Sequence, residues 1–230
     1  YYIKRILLQY IAKFKLLTLV LHKIWFIYLI FRSKYLYFLF FKLNIKINSL
    51  SDRGQDKWIV DIFELKKKEY DGFFLEIGGG DGFSNSNTFI LEHYFGWSGL
   101  LVEPDPIQYE KLQKNRPKTS LSNKLIYDEI TKLNFLKKGE LSQIVTNNKY
   151  TKNTIELDSI TLNELLTLNN SPKIIDFFSL DVEGSEEKVL TESVLKNYVF
   201  LSICIERPTL KLHDLLIKYD YVFIQSNLYD

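Results

Sequence analysis

The sequence of 230 residues contains a single cysteine and no methionine. One thiol, Cys204, cannot form an internal disulfide, which excludes a secreted scaffold held by disulfides and favours a reducing compartment. One cysteine and three scattered histidines also exclude a structural zinc cluster. The chain begins with Tyr1 where a translated product normally begins with Met, so we expect a fragment or a processed chain.

Acidic residues, glycine and proline are all missing from the first 51 residues; the first acid is Asp52. The same stretch holds nine basic residues and has a formal charge of +9, whereas 21 basic against 28 acidic residues give the remainder −7. A change in composition this sharp marks a boundary. We predict a basic, aromatic and hydrophobic helical arm over residues 1–51 and a separate domain over residues 52–230.

A clean membrane span is disfavoured in the arm, although residues 16–31, with basic ends that snorkel to the interface, stay a candidate. A transmembrane helix needs about 20 mostly apolar residues, and Lys23, Arg32 and Lys34 interrupt such windows, each at a cost of about 2.5–3.5 kcal/mol near the centre. Basic and aromatic side chains together suit a membrane interface. Residues 1–45 are therefore predicted either to contact a membrane surface or to pack as helices on the domain, and the protein is expected to be membrane-associated or cytoplasmic. The high apolar content argues against nucleic acid as a partner.

Beyond the arm, apolar segments alternate with amphipathic ones. Strands are predicted over 72–77, 99–103, within 120–127, and over 174–181, 199–205 and 221–225. Helices are predicted over 55–70, 86–94, 106–115, 160–168, 185–196 and 209–219, and residues 129–158 are irregular with room for a short hairpin. This order predicts an α/β fold with a mostly parallel sheet and helices on both faces. Such sheets bind ligands at the carboxyl ends of their strands.

The first predicted strand carries Glu76 next to its last residue and leads into a glycine-rich turn. The glycines of this turn are Gly78, Gly79, Gly80 and Gly82. Phe83 stands where a dinucleotide fingerprint needs its last glycine, and the Lys of a P-loop is absent. The second strand ends in Glu103, where a carboxylate can accept both hydroxyls of a ribose. Two acids around a glycine turn suit a nucleoside with a compact zwitterionic tail, so S-adenosyl-L-methionine is the predicted cofactor.

Two further acids follow the fourth predicted strand. Asp181 comes directly after an apolar run and is expected to face the cleft as a general base, with Glu183 as the second candidate. An acid at a helix N-terminus is also favoured by the helix dipole alone, which is the alternative explanation for Glu183. Glu206 and His213 stay outside the predicted site, because a strand-end acid is often simply solvated and a lone histidine is more often structural.

Taken in order, these motifs resemble the FkbM-type family of S-adenosylmethionine-dependent methyltransferases. The matching stretches are 74–82 (FLEIGGGDG), 86–88 (SNT), 96–106 (GWSGLLVEPDP), 160–162 (ITL) and 175–186 (IDFFSLDVEGSE). The resemblance implies a class I, Rossmann-like fold and O-methylation of a hydroxyl on a sugar, a glycan or another small-molecule or lipid-linked acceptor. It places the cofactor's amino-acid end at Glu76 and the glycine turn, its ribose at Glu103 and its adenine near Asn123, with Asp128 as the competing position.

The chain departs from the family pattern at two points. Glu76 stands where the family usually has Asp, and the antiparallel strand that ends a class I sheet is expected to be missing before Asp230. Two other classes of function remain open. One is a glycan-modifying transferase that uses Asp181 and Glu183 to bind a metal ion and a sugar nucleotide, whereas in the methyltransferase, for which no metal site is predicted, a divalent ion held by the same acids stays the alternative to a general base. The other is an inert binding module docked on a membrane.

Overall fold

The computed structural model describes residues 49–145 and 151–226. The arm predicted over residues 1–51 falls almost entirely outside this part of the chain, so its division from residues 52–230 and its membrane contact stay predictions. Within the two described ranges, no helix combines the length and the apolar character that crossing a membrane requires.

The described chain alternates strands and helices. The helices are α1 Gln55–Ile62, α2 Phe89–Phe95, α3 Pro106–Asn115, α4 Leu162–Leu168, α5 Glu186–Val189, α6 Glu192–Asn197 and α7 Leu210–Lys218. The strands are β1 Phe73–Ile77, β2 Ser98–Val102, β3 Ser120–Ser122, β4 Leu125–Ile126, β5 Lys132–Leu136, β6 Gln143–Ile144, β7 Thr154–Ile160, β8 Ile174–Leu180 and β9 Val199–Ile205.

Five strands form one parallel sheet in the order β3-β2-β1-β8-β9. Its central strands are apolar almost throughout, as expected for strands covered on both faces. Leu75 belongs to the main apolar cluster together with residues of α4, α6 and α7, whereas the neighbouring Phe74 lies under the Arg116 guanidinium that follows α3. The α/β fold with a parallel sheet is therefore confirmed, and it is consistent with a Rossmann-like methyltransferase.

A second sheet occupies the stretch predicted to be irregular. Its strand order is β4-β7-β5-β6, with β5 antiparallel to both β6 and β7. The predicted third strand splits, because β3 pairs with β2 while β4 pairs with β7. The helix predicted over 160–168 begins only at Leu162, since Thr161 and Glu164 form a capping box at its start.

Two predicted helices are shorter than expected. The helix over 55–70 ends at Ile62, and Glu64 shortly after it adopts a left-handed backbone with φ of 53°, through which an α-helix cannot continue. The helix over 185–196 is two helices, α5 and α6. Between them the backbone of Thr191 is extended and the Leu190 side chain is fully buried in the core. Burial of one leucine thus overrides local helix periodicity.

The strand predicted over 221–225 is wrong. This segment is not paired with any strand in the described part of the chain, and Val222, Phe223 and Ile224 are exposed. It lines an apolar groove of about 640 Å³ together with β9 and the end of α7. Within the described residues β9 is consequently the outer strand of the five-stranded sheet.

Candidate functional site

A cavity of about 250 Å³ lies at the carboxyl ends of β1, β2, β8 and β9. Parallel strands bring these ends to one edge of the sheet, as the sequence predicts. The predicted site residues that line the cavity are Glu76, Gly78, Gly79, Gly80, Glu103, Asp181 and Glu183. Gly82 and Asn123 do not line it.

The glycine turn is hydrogen-bonded to the end of the neighbouring strand β2. The N–H groups of Gly78 and Gly79 donate hydrogen bonds to the Val102 carbonyl at the end of β2, each at 3.0 Å. Gly78 and Gly80 have positive φ angles of 88° and 53°, which glycine adopts without steric cost. Gly82 also has a positive φ, of 73°, and it allows close packing as well, because a β-carbon there would lie 2.3 Å from Leu112 of α3.

Glu76 holds the loop that follows the turn. Its side chain is only 4% exposed, and its carboxylate accepts hydrogen bonds from the Asn87 N–H at 3.0 Å and from the hydroxyls of Ser86 and Thr88. Burial raises the pKa of Glu76, and the charge of Arg116 opposes that rise. The structure thus places Glu76 as an anchor of residues 86–88, and its predicted contact with the cofactor's amino-acid end stays a prediction.

Arg116 is a buried cation next to this loop and was missed from the sequence. Its guanidinium is fully buried, pairs with Glu92, and donates to the Gly82 carbonyl at 3.2 Å. It also donates to the hydroxyls of Ser86 and Thr88, at 3.3 and 3.2 Å. Arginine is scarce, with 5 among the 30 basic residues. The other four arginines share that scarcity, so no pattern in the sequence singles out Arg116.

Glu103 lies at the end of β2, beside the glycine turn. One carboxylate oxygen accepts from the Gly80 N–H at 2.9 Å and the other from the Asp105 N–H at 2.8 Å. The side chain is 6% exposed, and burial raises the pKa of Glu103 to about 7 despite these two hydrogen bonds. Each oxygen retains a lone pair, so the carboxylate is able to accept the two hydroxyls of a ribose.

Three carboxyl groups meet on the other side of the cavity. Carboxylate oxygens of Asp181, Glu183 and Glu206 all lie within 4.8 Å of one another. Loss of solvent around Asp181, followed by the hydrogen bond and the charge of Glu206, raises the pKa of Asp181 to about 8. Burial and the charge of Glu206 also raise the pKa of Glu183. Glu206, which the sequence alone does not place in the site, therefore belongs to it, while His213 lines the apolar groove instead.

Arg207 spans the acid cluster. Its Nη1 lies 3.3 Å from Glu183 Oε2, and its Nη2 lies 3.0 Å from Glu206 Oε1. On the other side the buried Glu186 carboxylate accepts from the backbone N–H groups of Val182 and Gly184, at 3.3 and 3.0 Å. These contacts fix the turn that carries Asp181 and Glu183.

The same cluster has the composition of a cation site. Hard divalent cations prefer carboxylate oxygens, and among the residues described here this is the one group of acids or imidazoles close enough to hold an ion. The ion pairs of Arg207 with Glu183 and Glu206 already compensate part of its negative charge. The geometry is thus compatible with a shared proton as well as with a cation.

The side of the cavity predicted to hold the adenine is lined by residues other than Asn123. Asn123 is exposed and stands beside the cavity, whereas Lys124, Leu125 and Ile126 line it. Asp128, the competing position, forms an ion pair of 2.7 Å with Lys188 outside the cavity. Apolar side chains of the second sheet and its loop complete this wall: Phe135, Leu141 and Ile144. The role of Asn123 stays a prediction.

The model of one protein family matches this chain. It describes the methyltransferase FkbM domain and matches residues 76–221, which is more than half of the sequence. The match begins at Glu76 and includes the glycine turn, Glu103, Asn123 and the whole acid cluster. Comparisons with curated proteins and with solved structures gave no match. The family match shows that the chain belongs to the methyltransferase FkbM domain family.

Proposed function

We propose that this protein is an S-adenosyl-L-methionine-dependent O-methyltransferase whose acceptor is a hydroxyl group on a sugar, a glycan or a related hydroxyl-rich molecule. Family membership implies the cofactor and the transfer of a methyl group. The observation that carries the oxygen acceptor is the carboxyl pair Asp181 and Glu206, which shares a cavity with the glycine turn.

The residues of the cavity fit the cofactor. The turn presents glycine backbone to the cavity, and a β-carbon on Gly80 would meet open space rather than protein. Glu103 offers a buried carboxylate one strand away to accept ribose hydroxyls. When bound, the cofactor supplies an electrophilic methyl group on a sulfonium centre.

Asp181 is the proposed general base. An alcohol becomes a competent nucleophile only as its proton is removed, and a carboxylate with a pKa near the operating pH is suited to that task. The carbon–oxygen bond forms as the carbon–sulfur bond breaks, and the hydroxyl proton passes to the Asp181 carboxylate. Glu206, whose carboxylate lies within 4.8 Å of Asp181, favours the protonated form of Asp181 that results. Positioning of the acceptor contributes the rest of the rate.

The acceptor class follows from the polar side chains around the acids. Asp52, Asn87 and Arg207 line the same cavity as Asp181. Carboxylate, amide and guanidinium groups provide the donors and acceptors that adjacent hydroxyls require. A hydroxyl-rich acceptor matches this wall better than an apolar one.

Calorimetry with S-adenosylhomocysteine tests the cofactor assignment. The wild type is expected to bind, and Glu103→Ala is expected to bind at least about tenfold more weakly, because hydrogen bonds to a charged group contribute about 1.5–3 kcal/mol. Glu110→Ala removes an exposed glutamate of α3 that pairs with Lys114, and should bind like the wild type. Failure of the wild type to bind would refute the proposal.

A metal-dependent transferase acting on a sugar nucleotide is the second candidate, and the acid cluster favours it. It leaves the glycine turn and Glu103 without a role. Methyl transfer to methyl glycosides that persists in excess EDTA would exclude a metal requirement. Calorimetric binding of UDP-glucose in the presence of Mn²⁺, without binding of S-adenosylhomocysteine, would favour the second candidate instead.

A further inference from the structure

Glu76, the residue predicted to bind the cofactor's amino-acid end, is already engaged by the protein itself. Its side chain is 4% exposed, and its carboxylate accepts hydrogen bonds from Ser86, Asn87 and Thr88. A carboxylate offers about four acceptor positions, so three protein donors and burial leave little of it for a ligand. The amino-acid end of a cofactor in this cavity therefore needs another polar partner.

Asn87 is held over two neighbouring strands, β1 and β8. Its backbone N–H donates to Glu76 Oε1 at 3.0 Å, and its Nδ2 donates to Ser179 Oγ at 2.8 Å. Glu76 and Ser179 are paired in register on these two strands, so both hydrogen bonds hold Asn87 over one point of the sheet. The protein thus orients both the backbone and the amide of Asn87.

The contact with Ser179 places this amide close to the acid cluster. Asp181 lies two residues after Ser179, and its N–H continues the pairing with β1 by donating to the Ile77 carbonyl at 3.0 Å. In an extended chain the α-carbons of two such residues are about 6–7 Å apart, and their side chains lie on the same face. Asn87, Ser179 and Asp181 all line the cavity. The amide therefore borders the cavity about one strand repeat from the proposed base.

The side-chain oxygen of Asn87 is suited to accept from a ligand. No residue within 49–145 or 151–226 donates a hydrogen bond to Asn87 Oδ1, and the side chain is half-buried. An ammonium group carries three N–H donors, and a hydrogen bond from a charged donor is stronger than one from a neutral donor. The neighbouring carboxyl groups of the acid cluster also favour a positive charge here.

The position of Asn87 matches the part of the cofactor that still lacks a partner. The sulfonium centre bears the adenosyl group, the methyl group and the amino-acid chain. In the proposed function the ribose is bound at Glu103, after β2, and the methyl group is transferred close to Asp181, after β8. Strand β1 lies between these two strands, and Asn87 is the residue whose amide is fixed there through Glu76 and Ser179.

We propose that Asn87 binds the amino-acid end of the cofactor, with Oδ1 accepting a hydrogen bond from the α-ammonium group, and that Glu76 positions Asn87 instead of contacting the cofactor. This inference rests on the proposed function, because it assigns a contact to the same cofactor. The second N–H of the Asn87 amide takes no part in this contact and stays available to a hydroxyl-rich acceptor.

Calorimetry with S-adenosylhomocysteine and its desamino analogue, in which hydrogen replaces the amino group, tests the contact. The wild type is expected to bind S-adenosylhomocysteine about tenfold or more tightly than the analogue, because a hydrogen bond to a charged group is strong. Asn87→Ala should reduce this preference to less than about threefold and bind the analogue like the wild type. Asn87→Asp retains an acceptor oxygen, to which the Ser179 hydroxyl can also donate, and should keep or increase the preference.

Asn197→Ala is the matched control. Asn197 is exposed on α6, and its Nδ2 also donates to a side chain, at 3.2 Å from Asn163 Oδ1, but it does not line the cavity. This variant should keep the wild-type affinity for both ligands. A lost preference in the control would contradict the inference, because the preference would then not depend on an amide in the cavity.

The outcomes separate this inference from the proposed function. An undiminished preference in Asn87→Ala, or a lost preference in Asn87→Asp, would overturn the inference. An equal loss of affinity for both ligands in Asn87→Ala would also overturn it, since Asn87 would then only support the loop. A wild type that binds both ligands equally would overturn the contact and leave the cofactor in place. Failure of the wild type to bind S-adenosylhomocysteine would refute the proposed function itself.

Discussion

A β-carbon on Gly78 would lie 1.8 Å from the backbone carbonyl oxygen of Asp181. The glycine turn and the acid cluster therefore meet with no space for a side chain between them. This contact between Gly78 and Asp181 sets how closely the carboxyl ends of β1 and β8 approach each other. Gly78 also has a φ of 88°, which other residues rarely adopt. We expect Gly78→Ala to displace the turn that carries Asp181.

Gly78→Ala should lower the free energy of unfolding by about 2–4 kcal/mol, because steric overlap adds to backbone strain. Binding of S-adenosylhomocysteine should be lost as well. Urea denaturation and calorimetry measure the two effects. Gly96→Ala is the matched control, since Gly96 has a φ of 71° and open space around its missing β-carbon. The control isolates the cost of positive φ, about 1 kcal/mol. Equal losses in the two variants would contradict a role for the contact with Asp181.

Cofactor affinity should depend on the ionisation of Glu103. The pKa of this carboxyl is about 7 because of burial, and the ionised form is the better acceptor for ribose hydroxyls. The affinity for S-adenosylhomocysteine is therefore expected to increase from pH 6 to pH 8. Glu103→Gln should bind about tenfold or more weakly at pH 8 and lose most of this pH dependence. Calorimetry at several pH values measures both, and an unchanged pH dependence in the variant would assign it to another group.

The residues that the sequence identified are those whose role follows from chain position. Glu103 and Asp181 each follow an apolar strand, and parallel strands place such residues at one edge of the sheet whatever the loops do. The glycine turn is recognisable from the sequence because three consecutive glycines are required mainly where the backbone makes a tight turn or closely approaches another group. The apolar pattern of the strands and the positions of their ends are therefore enough to predict most of the fold and the part of the cavity that the strand ends form.

The residues that the sequence did not identify depend on tertiary contacts. Gln55 reaches the cavity only through the anchoring of residues 49–51 by Asp56. Phe135 lines the cavity because β5 pairs with β7 in a second sheet. Both strands alternate polar and apolar residues, a strand signal that the prediction of an irregular stretch does not use. Segment 221–225 has strand-forming residues but no neighbouring strand in the described structure. Pairing partners, and not local propensity, decide such cases.

Catalysis should require the ionised form of Asp181. Its pKa is about 8, raised by lost solvation and by Glu206, so kcat/KM is expected to rise with pH below about 8 and to level off above it. Asp181→Asn should reduce kcat by about 100-fold or more and leave S-adenosylhomocysteine binding intact. Glu183→Gln serves as the comparison, and a larger loss in that variant than in Asp181→Asn would transfer the role of base to Glu183.

The same carboxyl should destabilise the free protein at high pH. A carboxyl whose folded-state pKa exceeds its unfolded value favours folding at acidic pH, and that contribution is lost as the pH rises through about 8. Asp181→Asn removes the ionisation, so its Tm should exceed that of the wild type at pH 9 by at least about 2–4 °C, which corresponds to roughly 1 kcal/mol for a domain of this size. Near pH 4 the difference should be small. A variant that is less stable at pH 9 would show that Asp181 is ionised and well solvated there.

Arg116 should be the most sensitive position outside the cavity. Its guanidinium is fully buried and pairs with Glu92. It also donates hydrogen bonds to the hydroxyls of Ser86 and Thr88, which themselves donate to Glu76. Arg116→Met leaves Glu92 without its buried partner, for which about 3–5 kcal/mol of stability is typically lost. The double variant Arg116→Met, Glu92→Leu removes both charges and should recover a large part of this loss, because apolar side chains often replace a buried ion pair without cost. Urea denaturation of the two variants measures the difference. If the double variant is no more stable than Arg116→Met, the hydrogen bonds of Arg116 to the loop, and not its pairing with Glu92, are what the protein depends on.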